Sequence, residues 1–181
     1  MRLRNEKLKS FVAAAGVSRE QLAQAVERDG LRGPRAQSAV NNWLAGRDHP
    51  RCKAGDVKRM AATVGCEPKD IVRFVSEVRH HRGSTQKARL VADLVRGKGV
   101  DEALNLLTFT HKRAAVNIKK ALDAAIADAE LSNADVTSLV VTESRVDEGP
   151  QIKRFRPKDR GRAHKIIKQT SHFTIGVEER N

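Results

Sequence analysis

Ala88, Val91, Ala92 and Val95 recur at intervals of three and four, while Phe173, Ile175 and Val177 recur at intervals of two. The first spacing marks one face of a helix and the second one face of a strand. Residues 5–15 also follow the helical pattern and stop at Gly16. Ser18 is a good N-cap, and Gln21 completes a capping box ahead of Leu22, Ala23, Ala25 and Val26. Pro34 opens a further helix in which Ala36, Val40, Trp43 and Leu44 form an apolar stripe closed by Gly46. Residues 56–64 and 69–74 read as two more helices, separated by Gly65 and Pro68. Residues 75–82 then predict a short strand leading to Ser84, the N-cap of a helix that ends at Gly97. Residues 101–107 and 111–130 predict a second and third helix, the last with Ala115, Ile118, Leu122, Ala125 and Ala129 inward. A turn at residues 133–135 leads into a Val- and Thr-rich strand over 136–146. The closing strand, with His172, Thr174 and Gly176 on its other side, reads as amphipathic and packed on helices.

This order predicts an α+β protein. An all-α helical domain spans residues 1–76. A body of three helices and an antiparallel sheet spans residues 77–181, with a long projecting β-hairpin over about 145–172.

Charge divides the chain in a similar way. Residues 1–76 hold 15 basic and 8 acidic groups, and residues 77–151 hold 11 of each. Residues 152–169 (IKRFRPKDRGRAHKIIKQ) hold 8 basic groups and one acid, Asp159, or +7 of the chain's net +13. Their only large apolar residues are Ile152, Phe155, Ile166 and Ile167, too few for a core. Strand-like segments bracket them, so the charge belongs on a ribbon, which from Arg145 to the turn near Asp159 would reach about 45 Å if straight. A bare two-stranded ribbon is marginal in water, and its self-repulsion falls when phosphates neutralise it and release counterions. The arm is a structure completed by a polyanion.

Composition narrows the partner. A pI near 10.3 points to nucleic acid or an anionic surface. Five Phe, one Trp and no Tyr leave little platform for base stacking, which favours contact through phosphates and shape. No apolar run approaches the roughly 18 residues of a spanning helix, and the N-terminus lacks the apolar core of a signal peptide. A cytoplasmic protein without membrane partners is the expectation. Cys52 and Cys66 have no CxxC spacing and read as small core residues. His80 and His81 lack the acid or Cys/His companions of a metal site, and Gly97–Lys98–Gly99 lacks the phosphate-loop pattern. Asp147 and Glu148 precede Gly149 and Pro150 at a strand kink. Neither catalysis nor a cofactor is expected.

In the first domain, SREQLAQAV and QSAVNNWLAG, followed by DVKRMAATV and DIVRF, resemble the helix-turn-helix domain of phage-repressor-like DNA-binding proteins. The resemblance implies groove contact by Gln37, Ser38, Asn41 and Asn42. ERDGLRGPRA between the two helices is longer than that family's tight turn, and domains of this shape also serve purely as docking units. A DNA-binding transcriptional regulator using residues 1–76 is therefore the rival reading.

From about residue 79 to 179 the chain resembles the large-subunit ribosomal proteins of the L-twenty-two family. The resemblance rests on RGSTQKARLVADLVRGKGVDEALNLLTFTHKRAA, on VDEGPQIKRFRPKDRGRAHKIIKQTSH and on the closing strand, in that order. It implies an α+β body at the outer surface of the large subunit. The hairpin would thread into 23S-type rRNA and line the nascent-peptide tunnel, and the protein would act in early subunit assembly. By position, Lys153, Arg154, Arg156, Lys158, Arg160, Arg162, Lys165 and Lys168 become the arm's rRNA contacts. Lys87 and Arg89, with Lys112 and Arg113, are candidates on the body. Implied partners are large-subunit rRNA, neighbouring ribosomal proteins and the nascent polypeptide, with one copy of the chain per ribosome. The family pattern does not include residues 1–76.

Overall fold

The computed structural model describes residues 1–180. The chain divides into two compact units: residues 1–74 with 128–134, and residues 75–127 with the remainder.

The first unit is helical. α1 (Asn5–Ala15) ends at Gly16, whose left-handed backbone (φ 63°) lets its own N–H turn back to the Ala13 carbonyl and the Val17 N–H to the Val12 carbonyl. α2 (Arg19–Ala25) starts with the expected capping box, as the Gln21 N–H donates to Ser18 Oγ and the Ser18 N–H to Gln21 Oε1. α3 (Pro34–Leu44) carries proline in its first turn and buries Ala36, Val40, Trp43 and Leu44. α4 (Ala54–Val64) completes the set. Leu8, Leu22, Val26, Trp43, Met60 and Ile71 are almost fully buried. Burying each large side chain of this kind contributes roughly 2 kcal/mol. Under them lies Asp56, a fully buried carboxylate paired with Arg28 (3.3 Å) and Arg59 (3.0 Å), which also accepts the Lys53 N–H. Buried carboxylates persist when paired and hydrogen-bonded in this way.

The helix expected over residues 69–74 is not formed. A 3-10 turn (Pro68–Ile71) gives way at Val72 to a strand. A strand too short for the sequence pattern to reveal, β1 (Arg2–Leu3), pairs antiparallel with Val72 and Arg73, and the Arg4 N–H donates to the Ile71 carbonyl. A single isolated helical turn is unfavourable, and β-branched residues with a strand partner settle as a strand.

The second unit is the α+β body. β2 (Val72–Arg82), most of which lies here, is followed by α5 (Thr85–Val95), α6 (Val100–Phe109) and α7 (Arg113–Glu130). β3 (Leu139–Glu148) pairs antiparallel with β6 (Thr170–Glu179), and β6 is the inner strand between β2 and β3. The predicted stripes of α5 and α7 are buried, and they join Val141, Phe173, Ile175 and Val177 in the core. The closing strand is not half-exposed as its alternation suggested. Thr174 is buried as completely as Ile175, because a strand with a neighbour on each edge shades even its small residues. Between β3 and β6 stand β4 (Ile152–Pro157) and β5 (Ala163–Lys168), paired only with each other. Among the described residues, no helix is long and apolar enough to cross a membrane.

Candidate nucleic-acid interface

The body ladder ends at the pair Glu148–Ser171 and the arm ladder begins at Ile152–Lys168. Three residues on one strand (Gly149, Pro150, Gln151) therefore face two on the other (Gln169, Thr170). An offset of this kind is a bulge, which bends a ribbon and increases its twist, and Pro150 has no N–H to contribute. The base is pinned nonetheless. The Gly149 N–H donates to the Thr170 carbonyl (2.9 Å), and Thr170 Oγ1 donates to the Pro150 carbonyl (2.6 Å). A Cβ at Gly149 would sit 2.4 Å from Thr170 Oγ1, so only glycine fits. The ladder is thus not the straight run of about 14 residues suggested by the sequence. The free arm has six-residue strands, reaching about 20 Å.

Residues opposite one another in an antiparallel pair share a face. Arg154, Arg156 and Lys168 lie on one face with Ile152, His164 and Ile166. Lys153 and Lys165 lie on the other with Phe155 and Ile167. Lys158, Arg160 and Arg162 crown the turn, where the Lys158 N–H donates to the Arg162 carbonyl (2.8 Å). Arg160 adopts a left-handed backbone (φ 56°, ψ 39°), which costs a non-glycine residue about 1 kcal/mol. Among the described residues, none of these eight cations pairs with a carboxylate. Phe155 is 75% exposed. Among the described residues, the arm has no core and its charges have no carboxylate partner.

Where the arm meets the body, a groove of about 550 Å³ is lined by Arg82, Arg113, Arg154 and Lys168 along with Ser84, Ile152 and Ile167. An adjoining concavity of about 620 Å³ shares Arg82, Gly83, Ser84 and Arg113 and adds Lys87, Lys112 and Leu90. Ser84 is the N-cap of α5 but makes no side-chain cap bond, so the positive end of that helix reinforces the cations. Of the four body candidates, Lys87, Lys112 and Arg113 come together here, and exposed Arg89 lines neither hollow. Sequence reasoning missed Arg82. Its signal was the Arg82–Gly83 step directly before the Ser84 cap, where the chain turns from strand to helix.

The histidines are structural supports for this region. His81 is buried beneath the groove, hydrogen-bonds through Nδ1 to the Asn117 amide and packs on Phe173 (ring centroids 4.9 Å). Burial first, and the Arg113 charge second, push its pKa down, which keeps it neutral at pH 7. His172 Nδ1 accepts the His80 N–H (3.0 Å). Among the described residues, no cluster of three or more His, Cys, Asp or Glu is arranged to hold a metal. Glycine-rich Gly97–Gly99 serves the sheet: the Gly97 N–H donates to the Val141 carbonyl (2.8 Å), and the Lys98 carbonyl accepts from the Val141 N–H. Asp147 pairs with Arg145 (2.9 Å), and Glu148 accepts from Thr85 (3.4 Å). Burial pushes the Cys52 thiol up to about 12, consistent with a small core residue.

In the first unit Gln37, Ser38 and Asn41 are exposed on α3, with Asn41 accepting from Arg19 (3.5 Å). Asn42 instead spends its amide on the His49 carbonyl (2.9 Å).

A folded body presenting a coreless cationic ribbon, with no carboxylate partners among the described residues, has the build of a polyanion-binding protein. The chain belongs to a ribosomal family, since the family model described as ribosomal protein L22p/L17e matches residues 76–178. It is accordingly a structural constituent of the large ribosomal subunit that binds rRNA and has ribosomal proteins as neighbours, the family being a structural one.

Proposed function

We propose that the ribbon of residues 152–168 penetrates folded 23S-type rRNA and forms part of the wall of the nascent-peptide tunnel, and that this contact helps early assembly of the subunit. The observation that carries the proposal is the ribbon itself, whose eight cations have no carboxylate partner among the described residues. Lys153, Arg154, Arg156, Lys158, Arg160, Arg162, Lys165 and Lys168 neutralise phosphates along it. Lys87, Lys112 and Arg113, joined by Arg82, hold the backbone that crosses its base, and Arg89 adds charge on the outer face of α5. The strained backbone of Arg160 supports a tip shaped for charge, since asparagine or glycine would sit there more easily. Phe155 and Ile167 give one face apolar surface that a passing polypeptide can touch. One copy serves each subunit.

Sedimentation tests the reading. The chain should travel with the large subunit and stay bound through a moderate-salt wash, because buried phosphate contacts are screened less than exposed ones. Recovery solely in the free fraction would overturn it.

A further inference from the structure

The net charge of +7 carried by residues 1–76 lies outside the matched family region. Part of it is concentrated in the loop joining α3 to α4. Arg47, Asp48, His49, Arg51 and Lys53 are all exposed there, whereas Pro50 is half-buried and Cys52 is buried.

Hydrogen bonds at every position hold residues 47–53. The Arg47 N–H donates to the Asn42 carbonyl (2.8 Å), and the Asn42 amide donates to the His49 carbonyl (2.9 Å). Trp43 Nε1 donates to the Pro50 carbonyl (2.6 Å) and Arg28 to the Arg51 carbonyl (3.5 Å). The Cys52 N–H donates to Asp48 (3.0 Å) and the Lys53 N–H to Asp56 (3.0 Å). The loop's one acid, Asp48, is exposed and accepts the Cys52 N–H, so Arg47, Arg51 and Lys53 leave a formal excess of two positive charges. Among the described residues, Arg47, Arg51 and Lys53 pair with no carboxylate.

We infer that this loop is a second phosphate-binding surface, which clamps an RNA backbone without reading its sequence. Two physical arguments select the partner. Protein interfaces centre on a buried cluster of large apolar or aromatic side chains accompanied by Arg, and the exposed residues from Ala45 to Gly55 offer Arg47 and Arg51 with no Trp, Tyr, Phe, Met, Leu or Ile beside them. Phosphate contact needs only fixed cations, and a pinned loop has already lost the freedom that binding would otherwise remove. That the RNA is rRNA rests on the proposed ribosomal function; the phosphate contact does not.

The test uses the full-length chain carrying alanine at Arg154, Arg156, Lys165 and Lys168, so that the arm no longer dominates. In that background, Arg47→Ala with Arg51→Ala and Lys53→Ala should weaken binding to a short RNA duplex by about tenfold. The slope of log affinity against log salt should drop by about 3, as three lost phosphate contacts at about 0.9 each on a duplex require. The melting temperature should hold, and Arg47→Lys with Arg51→Lys should retain binding. Unchanged affinity and slope overturn the inference, and so does equal loss in the charge-keeping variant. Polyglutamate held more tightly than RNA, with that hold lost in the loop variant, would make the partner an acidic protein instead. Preference for a DNA duplex of the same sequence would overturn the assignment to rRNA. Arm substitutions that leave rRNA binding intact would defeat the proposed ribbon function and not the loop.

Discussion

Alanine at Arg154, Arg156, Lys165 and Lys168 lowers affinity for large-subunit rRNA by about a hundredfold and reduces the salt slope by about 3, the value for four phosphate contacts at about 0.7 each. The expectation follows from where these side chains stand. All four are exposed on strands that pair only with each other, and none has a carboxylate partner. Their removal takes nothing from the core, so stability should stay within about 0.5 kcal/mol. Loss of charge would even relieve self-repulsion in the ribbon. Filter binding across a salt series measures both quantities, and a thermal melt supplies the control. An affinity loss with no change in slope would mean that the ribbon is recognised by shape, with its charge incidental.

Gly149→Ala should destabilise the body by about 2 kcal/mol, which for a chain of this size lowers the melting temperature by about 4–8 °C. The new Cβ would meet Thr170 Oγ1 at 2.4 Å, His172 Nε2 at 3.1 Å and the Thr170 backbone at 3.2 Å. Thr170 cannot simply turn away, since its hydroxyl is bonded to the Pro150 carbonyl. Either the ladder opens or the arm changes its angle. Thr170→Ala alone should cost about 1 kcal/mol through the lost hydrogen bond. Because it also removes the worst contact, the double variant should be more stable than the sum of the two single effects predicts. Strict additivity would place the strain elsewhere. A re-aimed arm also predicts weaker rRNA binding by Gly149→Ala although every cation is retained.

Much of this was legible in the sequence because it is local. Ser18 and Gln21 form a capping box wherever their helix packs, and the stripes of α5 and α7 each state which face is inside. The arm was visible for the opposite reason, as a stretch whose charge forbids a core. What escaped depends on contacts between distant residues. Nothing around Arg2 and Leu3 signals a strand until Val72 and Arg73 arrive beside them, and without that partner residues 69–74 look helical. The kink at Gly149–Pro150 was readable as a kink. The one-residue offset that bends the ribbon appears only when both strands are counted. Asn42 shares its residue type and helix with Asn41, and a loop seven residues away decides that its amide faces inward. Arg82 joined the interface because the strand-to-helix turn carries it beside Arg113, 31 positions further on.

The central claim is that the +7 ribbon is built to be surrounded by RNA. A density map of the intact large subunit from the source organism tests it most directly. The account predicts residues 152–168 enclosed by rRNA, with their cations facing phosphates and the ribbon tip bordering the path of the nascent chain. A ribbon lying free on the solvent side of the subunit, with its cations away from any phosphate, would contradict it.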